Sequence, residues 1–139
     1  MWTKSYSLKV ENLDLEKTWH VWIDVNNWNT WQDDIEFAKL DTNMKLGSKI
    51  SFRPKGGPTV ELEIVEFVEK KKFTDLTRFP LARMYGAHEF LVTGNMTEIR
   101  TTMSIEGPLA FIWKAIVARN IVKDLPKQTS ALIERVSRG

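Results

Sequence analysis

Apolar and polar residues alternate with a period of two along much of residues 1–106. The alternation is clear in residues 60–64, where aliphatic side chains are separated by glutamates, and equally clear in residues 98–105. This period is typical of strands that bury one face. We predict seven strands, at residues 3–10, 34–40, 48–54, 58–67, 72–79, 83–93 and 97–106. Tight breaks between the later strands, such as Gly94-Asn95, predict hairpins and an antiparallel sheet.

A short helix is predicted after the first strand. Leu15, Trp19 and Trp22 recur at helical spacing, and Asn12 or Asp14 can serve as the N-cap. The pair Asn26-Asn27 is expected to end this helix.

Two further tryptophans, Trp28 and Trp31, lie three residues apart and predict a second short helical turn. Aromatic residues at helical spacing usually pack in a core. We therefore interpret Trp19, Trp22, Trp28 and Trp31 first as packing residues. A ligand-facing role stays open, above all for Trp28.

The period changes after Gly107-Pro108, where apolar residues begin to recur at intervals of three and four. This spacing predicts one long amphipathic helix over residues 109–136. Pro126 lies inside it, and a proline within a helix removes a backbone hydrogen bond. We expect the helix to bend near residues 122–126.

The length of 139 residues is suited to a single domain spanning 1–139. The chain has no cysteine, and no apolar run approaches the length of a signal peptide or a spanning helix. We expect a soluble, cytoplasmic protein without stable membrane insertion. Two distant histidines give no metal-ligand spacing, and no phosphate-binding loop or nucleophile elbow is found. No metal or cofactor is predicted.

Charge is distributed unevenly along the chain. Residues 1–69 carry 8 basic and 12 acidic side chains, whereas residues 107–139 carry 6 basic and 2 acidic ones. A basic C-terminal segment could attract nucleic acid or anionic lipid, but a solvated helix face is the simpler interpretation. Because the aromatic RNA-binding pattern is absent, no nucleic-acid partner is predicted. The sequence leaves the oligomeric state open.

Three stretches and the closing helix give the chain a family resemblance. They read TWHVWIDVNNWNTWQDDIE (18–36), GSKISFRPKGGPTVELEIVE (47–66) and HEFLVTGNMTEIRTTMSIEGPLA (88–110). The chain resembles the START/Bet v 1-like (SRPBCC) superfamily, and within it the polyketide cyclase/dehydrase-like proteins. Trp22, Trp28 and Trp31 match the family's tryptophan positions.

The resemblance implies an α+β helix-grip fold. In this fold a seven-stranded curved antiparallel sheet wraps around a long C-terminal helix, with two short helices between strands 1 and 2. It also implies a cavity between sheet and helix that opens near the short helices. Trp28 is expected beside this opening.

Three residues are candidates for catalysis: His88, Asp75 and Tyr85. His88 shares strand parity with Gly86 and Phe90, which predicts an inward imidazole suited to proton transfer or to a ligand hydrogen bond. A histidine satisfied by a neighbour in the sheet is the alternative. Asp75 faces either a wet cavity or outward, since an unpaired buried carboxylate is costly. Tyr85 has the parity opposite to that of His88.

The apolar parity of each strand and the helix face carrying Trp113 predict the lining of the cavity. The predicted ligand-binding residues are Trp28, Leu62, Met84, His88, Phe90, Thr101, Met103, Trp113 and Val117.

Three functions fit this prediction. The first is a protein that holds a hydrophobic small molecule, such as a lipid, polyketide or isoprenoid. The second is a cyclase- or dehydrase-type enzyme that acts by proton transfer in the cavity. The third is a protein-interaction domain without a ligand. We favour the first, because most of the inward positions are apolar.

Overall fold

Seven strands form one curved antiparallel sheet, and helices cover its concave face. The structure is a computed structural model, and it describes residues 1–138. The strands are β1 (Trp2–Glu11), β2 (Ile35–Lys39), β3 (Lys49–Pro54), β4 (Val60–Val68), β5 (Lys72–Phe79), β6 (Ala82–Thr93) and β7 (Met96–Glu106). Their order in the sheet is β1-β7-β6-β5-β4-β3-β2. The predicted helix-grip architecture is confirmed.

The N-cap of the first helix, α1 (Leu15–Ile23), is Asp14 and not Asn12. The Asp14 carboxylate accepts a hydrogen bond from the backbone N–H of Lys17 at 3.0 Å, which satisfies a free donor of the first turn. Asn12 has a positive φ of 54° in the turn before the helix.

A 3-10 helix, Val25–Thr30, follows α1 almost directly. The prediction of a second short helix is confirmed, but Asn26 lies inside it and does not act as a break. Its side-chain amide donates to the Leu40 carbonyl at 2.9 Å, and its oxygen accepts from the Leu40 N–H at 3.1 Å. These two bonds tie the 3-10 helix to the chain just beyond β2.

The C-terminal helix consists of three consecutive segments. Ala110–Trp113 is α-helical, Lys114–Ala118 is π-helical, and Arg119–Arg138 is α-helical. The predicted long helix is confirmed. Its departure from α geometry lies at the π turn, whereas the α-helix continues through Pro126. A bend near residues 122–126 therefore stays a prediction.

Two apolar clusters lie between the sheet and the helices. The first includes Trp19, Trp22 and Phe73, with Leu132 from the C-terminal helix. The second includes Met84, Met103, Ile105, Ala118 and Leu125. A single C-terminal helix thus contributes to both clusters.

The packing interpretation of the four tryptophans agrees with their positions. Trp19, Trp22 and Trp28 are buried in the first cluster, and Trp31 packs against it. The Trp28 indole N–H donates to the Trp22 carbonyl at 2.9 Å. The indole N–H groups of Trp19 and Trp31 are buried and have no hydrogen-bond partner within residues 1–138.

Gly107 connects β7 to the C-terminal helix at a point of close contact. Its φ is +114°, and a Cβ atom added to it would lie 2.6 Å from the Leu81 carbonyl oxygen and 2.9 Å from the Ala82 Cα. The turn between β5 and β6 therefore approaches the start of the helix as closely as it does because residue 107 has no side chain.

Replacing Gly107 with alanine should lower the free energy of unfolding by about 3 kcal/mol, because backbone strain and a backbone clash add together. The matched control is Gly56→Ala. Gly56 also has a positive φ, but an added Cβ atom would meet nothing within 4 Å. This control should lose only about 1 kcal/mol. Urea unfolding followed by tryptophan fluorescence measures both, and equal losses would contradict the proposed contact.

Candidate functional site

His88 and Asp75 form a hydrogen-bonded pair on the concave face of the sheet. His88 Nε2 lies 3.1 Å from Asp75 Oδ2. The side chains keep 19% and 14% of their exposure, so neither is sealed in the core. Sequence parity alone did not determine which face of the sheet the Asp75 side chain is on. In the structure it lies on the concave face.

The strand register explains how the two side chains meet. His88 on β6 is opposite Phe73 on β5, and Asp75 is opposite Gly86. Facing residues of an antiparallel pair share one side of the sheet, so all four side-chain positions lie on the concave face. The Asp75 side chain reaches diagonally from its own position to that of His88.

Gly86 provides the space for the carboxylate. A Cβ atom built on Gly86 would lie 3.0 Å from Asp75 Oδ1 and 3.1 Å from Oδ2. Contacts this short would force a side chain at position 86 and the carboxylate apart. The glycine is therefore part of the arrangement that places Asp75 beside His88.

Aromatic rings enclose the imidazole on two sides. The Phe73 ring is stacked on His88, with centroids 4.6 Å apart. Trp22, from α1, meets His88 edge to face at 5.5 Å. The sequence placed Phe73 on the same strand face as Asp75, but nothing in it predicted that Trp22 would reach the histidine.

The pair belongs to a polar strip that crosses the concave face. Thr101 on β7 is opposite His88, and Tyr6 on β1 is opposite Thr101. We call Thr101, His88 and Asp75 the polar strip; Tyr6 packs against the second apolar cluster. The two apolar clusters lie on either side of it, because Phe73 and Ile99 belong to the first cluster and Met103 to the second.

Tyr85 is separated from this pair. It is opposite Leu76 on β5, with the side-chain parity that faces away from His88. Its hydroxyl donates to Glu106 Oε1 at 3.3 Å. Because no register shift interrupts the pairing of β5 with β6, Tyr85 lies on the convex face and cannot act with His88 and Asp75 on one bound molecule.

The nine residues predicted to line one cavity do not form one continuous wall. Trp28, Leu62 and Phe90 belong to the first apolar cluster. Met84 and Met103 are in the second cluster, and Trp113 and Val117 pack against it. His88 and Thr101 lie in the polar strip between them. Strand parity predicts which side chains are on the concave face. It does not predict which of the two apolar clusters each of them joins, because that depends on the helices that cover the face.

A groove lies where the resemblance predicted the opening of the cavity. Its volume is about 450 Å³, and its walls are residues 29–34 and one side of the C-terminal helix from Asp124 to Arg138. None of the nine predicted lining residues belongs to these walls. Most of the residues that line the groove are polar types, in contrast to the mainly apolar residues of the concave face.

One ion pair crosses this groove. Lys127 Nζ lies 3.1 Å from Asp33 Oδ1. The hydrogen bond and the charge of Lys127 lower the pKa of Asp33, and Asp33 in turn raises the pKa of Lys127. Both groups are exposed, so the pair adds little to stability. The pair spans the groove between the C-terminal helix and the segment that precedes β2.

The chemistry of the His88–Asp75 pair follows from the carboxylate. An ionised carboxylate only accepts hydrogen bonds, so His88 Nε2 must donate. In the neutral ring, Nδ1 is then the atom that can accept a hydrogen bond or take a proton. Asp75 therefore sets both the orientation and the tautomer of the imidazole.

Residues 1–138 contain no group of three histidine, aspartate or glutamate side chains arranged to hold a metal ion. No helix in the same range is both long and apolar enough to cross a membrane. No protein-family model and no curated protein sequence matches the chain.

Solved structures match over nearly the whole chain. A hypothetical protein from Helicobacter pylori has a TM-score of 0.77 and 18% identity, over 96% of this chain and 87% of that chain. A START superfamily protein from Mycobacterium smegmatis has a TM-score of 0.70 and 13% identity, over 98% and 97%. This chain has the START/Bet v 1-like fold.

Norcoclaurine synthase from Thalictrum flavum, solved in complex with dopamine and hydroxybenzaldehyde, is a third structure similar to this chain. Its TM-score is 0.70 and its identity 12%, over 99% of this chain and 88% of that chain. At these identities the similarity establishes the START/Bet v 1-like fold alone.

The tautomer of His88 can be tested by NMR of the ring nitrogens. In the neutral ring we expect the proton on Nε2, because Asp75 accepts from it. Asp75→Asn should abolish this preference, since an amide can either donate or accept. Long-range ¹H–¹⁵N correlation spectra distinguish the tautomers.

The other histidine, His20, is exposed on α1 and gives an internal control in the same spectra. Its signals should not change in the Asp75→Asn variant. A wild-type His88 protonated on Nδ1 would show that the hydrogen bond to Asp75 is not formed in solution.

Proposed function

We propose that this chain binds a small, largely apolar molecule against the concave face, with His88 as its polar anchor. The single observation that carries the proposal is the 3.1 Å His88–Asp75 bond between two apolar clusters. Ligand sites of this kind combine apolar walls with a few polar groups that fix orientation.

The aromatic surroundings of the anchor favour a flat or unsaturated ligand. Phe73 stacks on the imidazole, and Trp22 meets its edge. A ring lying beside these side chains would gain offset or edge-to-face contacts. A hydroxyl on that ring could donate to His88 Nδ1. The aromatic molecules named with norcoclaurine synthase support this class, as do the polyketides implied by the sequence resemblance.

A matched pair of probes tests the anchor. 2-Naphthol and 2-methoxynaphthalene have the same aromatic body, but only the naphthol can donate a hydrogen bond. We expect the naphthol to bind about tenfold more tightly, as one buried hydrogen bond allows. Displacement of the neutral fluorescent probe N-phenyl-1-naphthylamine measures both affinities.

In the His88→Phe variant the difference between the two probes should vanish, because the acceptor is gone and the aromatic volume is kept. His20→Phe, on the exposed side of α1, is the control and should preserve the difference. If both probes bind equally to the wild-type chain, or neither binds saturably, the proposal is wrong.

Trp22 is the natural fluorescence reporter for this binding. Trp22 and Trp28 are both buried, but the Trp22 ring lies 5.5 Å from that of His88, and the Trp28 indole N–H is bonded to the Trp22 carbonyl. The quenching caused by a bound probe should therefore persist in Trp28→Phe. Trp28, which the sequence resemblance places beside an opening of the cavity, is therefore not expected to be the main reporter.

A second function, proton transfer, is favoured by the same His88–Asp75 bond. A base whose tautomer and orientation are fixed by a carboxylate is a common catalytic arrangement. His88 Nδ1 would remove a proton from the carbon next to a ligand carbonyl, breaking the C–H bond and leaving an enolate. Returning the proton to that carbon would restore the neutral imidazole of His88 and the carbonyl compound.

Deuterium exchange tests this second function. The chain should accelerate exchange of the protons next to the carbonyl of α-tetralone in D₂O, followed by NMR. His88→Gln should reduce the enzymatic rate by about 10²-fold or more, and His20→Gln should not. A wild-type rate equal to that of buffer would leave binding alone as the proposed function.

A further inference from the structure

Four large apolar side chains are exposed at one end of the molecule. Leu81 is 65% exposed, Phe111 66%, Ile112 38% and Ile116 57%. We call these four residues the apolar end. Large apolar side chains grouped on a surface are typical of an interaction site, whereas single exposed ones need no explanation.

Specific contacts join the two segments that form the apolar end, the turn between β5 and β6 and the start of the C-terminal helix. The backbone N–H of Leu109 donates to the Leu81 carbonyl at 3.0 Å. The Trp113 indole N–H donates to the Pro80 carbonyl at 3.0 Å, and its ring stacks on Phe79 with centroids 4.6 Å apart. The turn between β5 and β6 is therefore fixed to the first turn of the C-terminal helix.

The charges around the apolar end are basic. Residues 107–123 include Lys114, Arg119 and Lys123 and no acidic residue. Arg78 and Arg83, on the strands that flank the turn, are paired with Glu63 and Glu106. The nearest acid along the helix is Asp124, after the last of these cations.

We propose that the apolar end docks on the surface of an anionic lipid membrane. Interfacial binding combines apolar side chains that enter the headgroup region with cations that meet anionic lipids. The apolar end and its three flanking cations supply both parts. A second copy of the chain is a poorer occupant, because a symmetric contact would bring the cations of the two copies together.

This docking would lie next to the candidate site without depending on it. Trp113 and Val117, on the same turns of helix, pack against the second apolar cluster under the sheet. A molecule held on the concave face and a membrane at the apolar end would therefore be separated by this part of the helix. The proposal concerns the surface alone and can succeed or fail independently of ligand binding.

Vesicle co-sedimentation tests the docking. The wild-type chain should bind vesicles of phosphatidylcholine with about one third phosphatidylserine, bind pure phosphatidylcholine vesicles much less, and dissociate as salt increases. Phe111→Ser should lower the partition constant by about tenfold or more. Lys123→Gln should lower it about fivefold, as expected for one cation at an anionic surface.

Matched controls come from the region of β3. Leu46 is 65% exposed, and Lys49 is an exposed cation on β3. Leu46→Ser and Lys49→Gln should bind vesicles as the wild type does. Absence of vesicle binding, or equal loss in controls and test variants, would overturn the proposal. So would a dimer in sedimentation velocity that Phe111→Ser dissociates.

Discussion

Trp22 joins α1 to the sheet through contacts with three rings on the concave face. Its centroid is 4.9 Å from that of Phe90, 5.4 Å from that of Phe73 and 5.5 Å from that of His88. Two of these contacts are apolar packing, and the third limits the position of the imidazole. The same residue that anchors the short helix in the core therefore also orients the candidate site, so stability and geometry of the site are linked at Trp22.

The polar strip exists because several conditions are met at once. An unpaired carboxylate among apolar side chains would be strongly unfavourable. Asp75 avoids this by bonding to His88, by keeping 14% of its exposure, and by occupying the space that Gly86 leaves. It also lies where the two apolar clusters part, so neither cluster has to enclose it. A charged group can persist on this otherwise apolar face for these reasons together.

Most of the fold could be predicted from the sequence, because strand and helix periods depend on residues close together in the chain. All seven strands and the long helix follow from such local periods. The direction of His88 also followed from parity. The direction of Asp75 did not, because it depends on the pairing of β5 with β6 and on Gly86. The contact between Trp22 and His88 could not be predicted either, because it depends on how α1 crosses the sheet.

The division of the predicted cavity residues between two clusters has the same origin. Parity along a strand identifies the face but not the helix that covers it. The C-terminal helix contributes Ala118 and Leu125 to one cluster, and Leu132 and Val136 to the other. Tertiary packing determines where along the sheet the residues of the first cluster end and those of the second begin. No local sequence pattern predicts this position.

The start of the C-terminal helix has more apolar residues than the sheet can cover. From Leu109 to Val117 only Lys114 is polar, and a helix turns one face at most toward its sheet. Trp113 and Val117 pack inward, which leaves Phe111, Ile112 and Ile116 in solvent. The π turn, Lys114–Ala118, takes one more residue per hydrogen-bonded ring than an α turn and so shifts the faces of the helix on either side of it. One side of this apolar run therefore packs in the core, and the other side forms a second apolar surface that is exposed. Membrane docking gives that second surface an environment in which its exposure is no longer unfavourable.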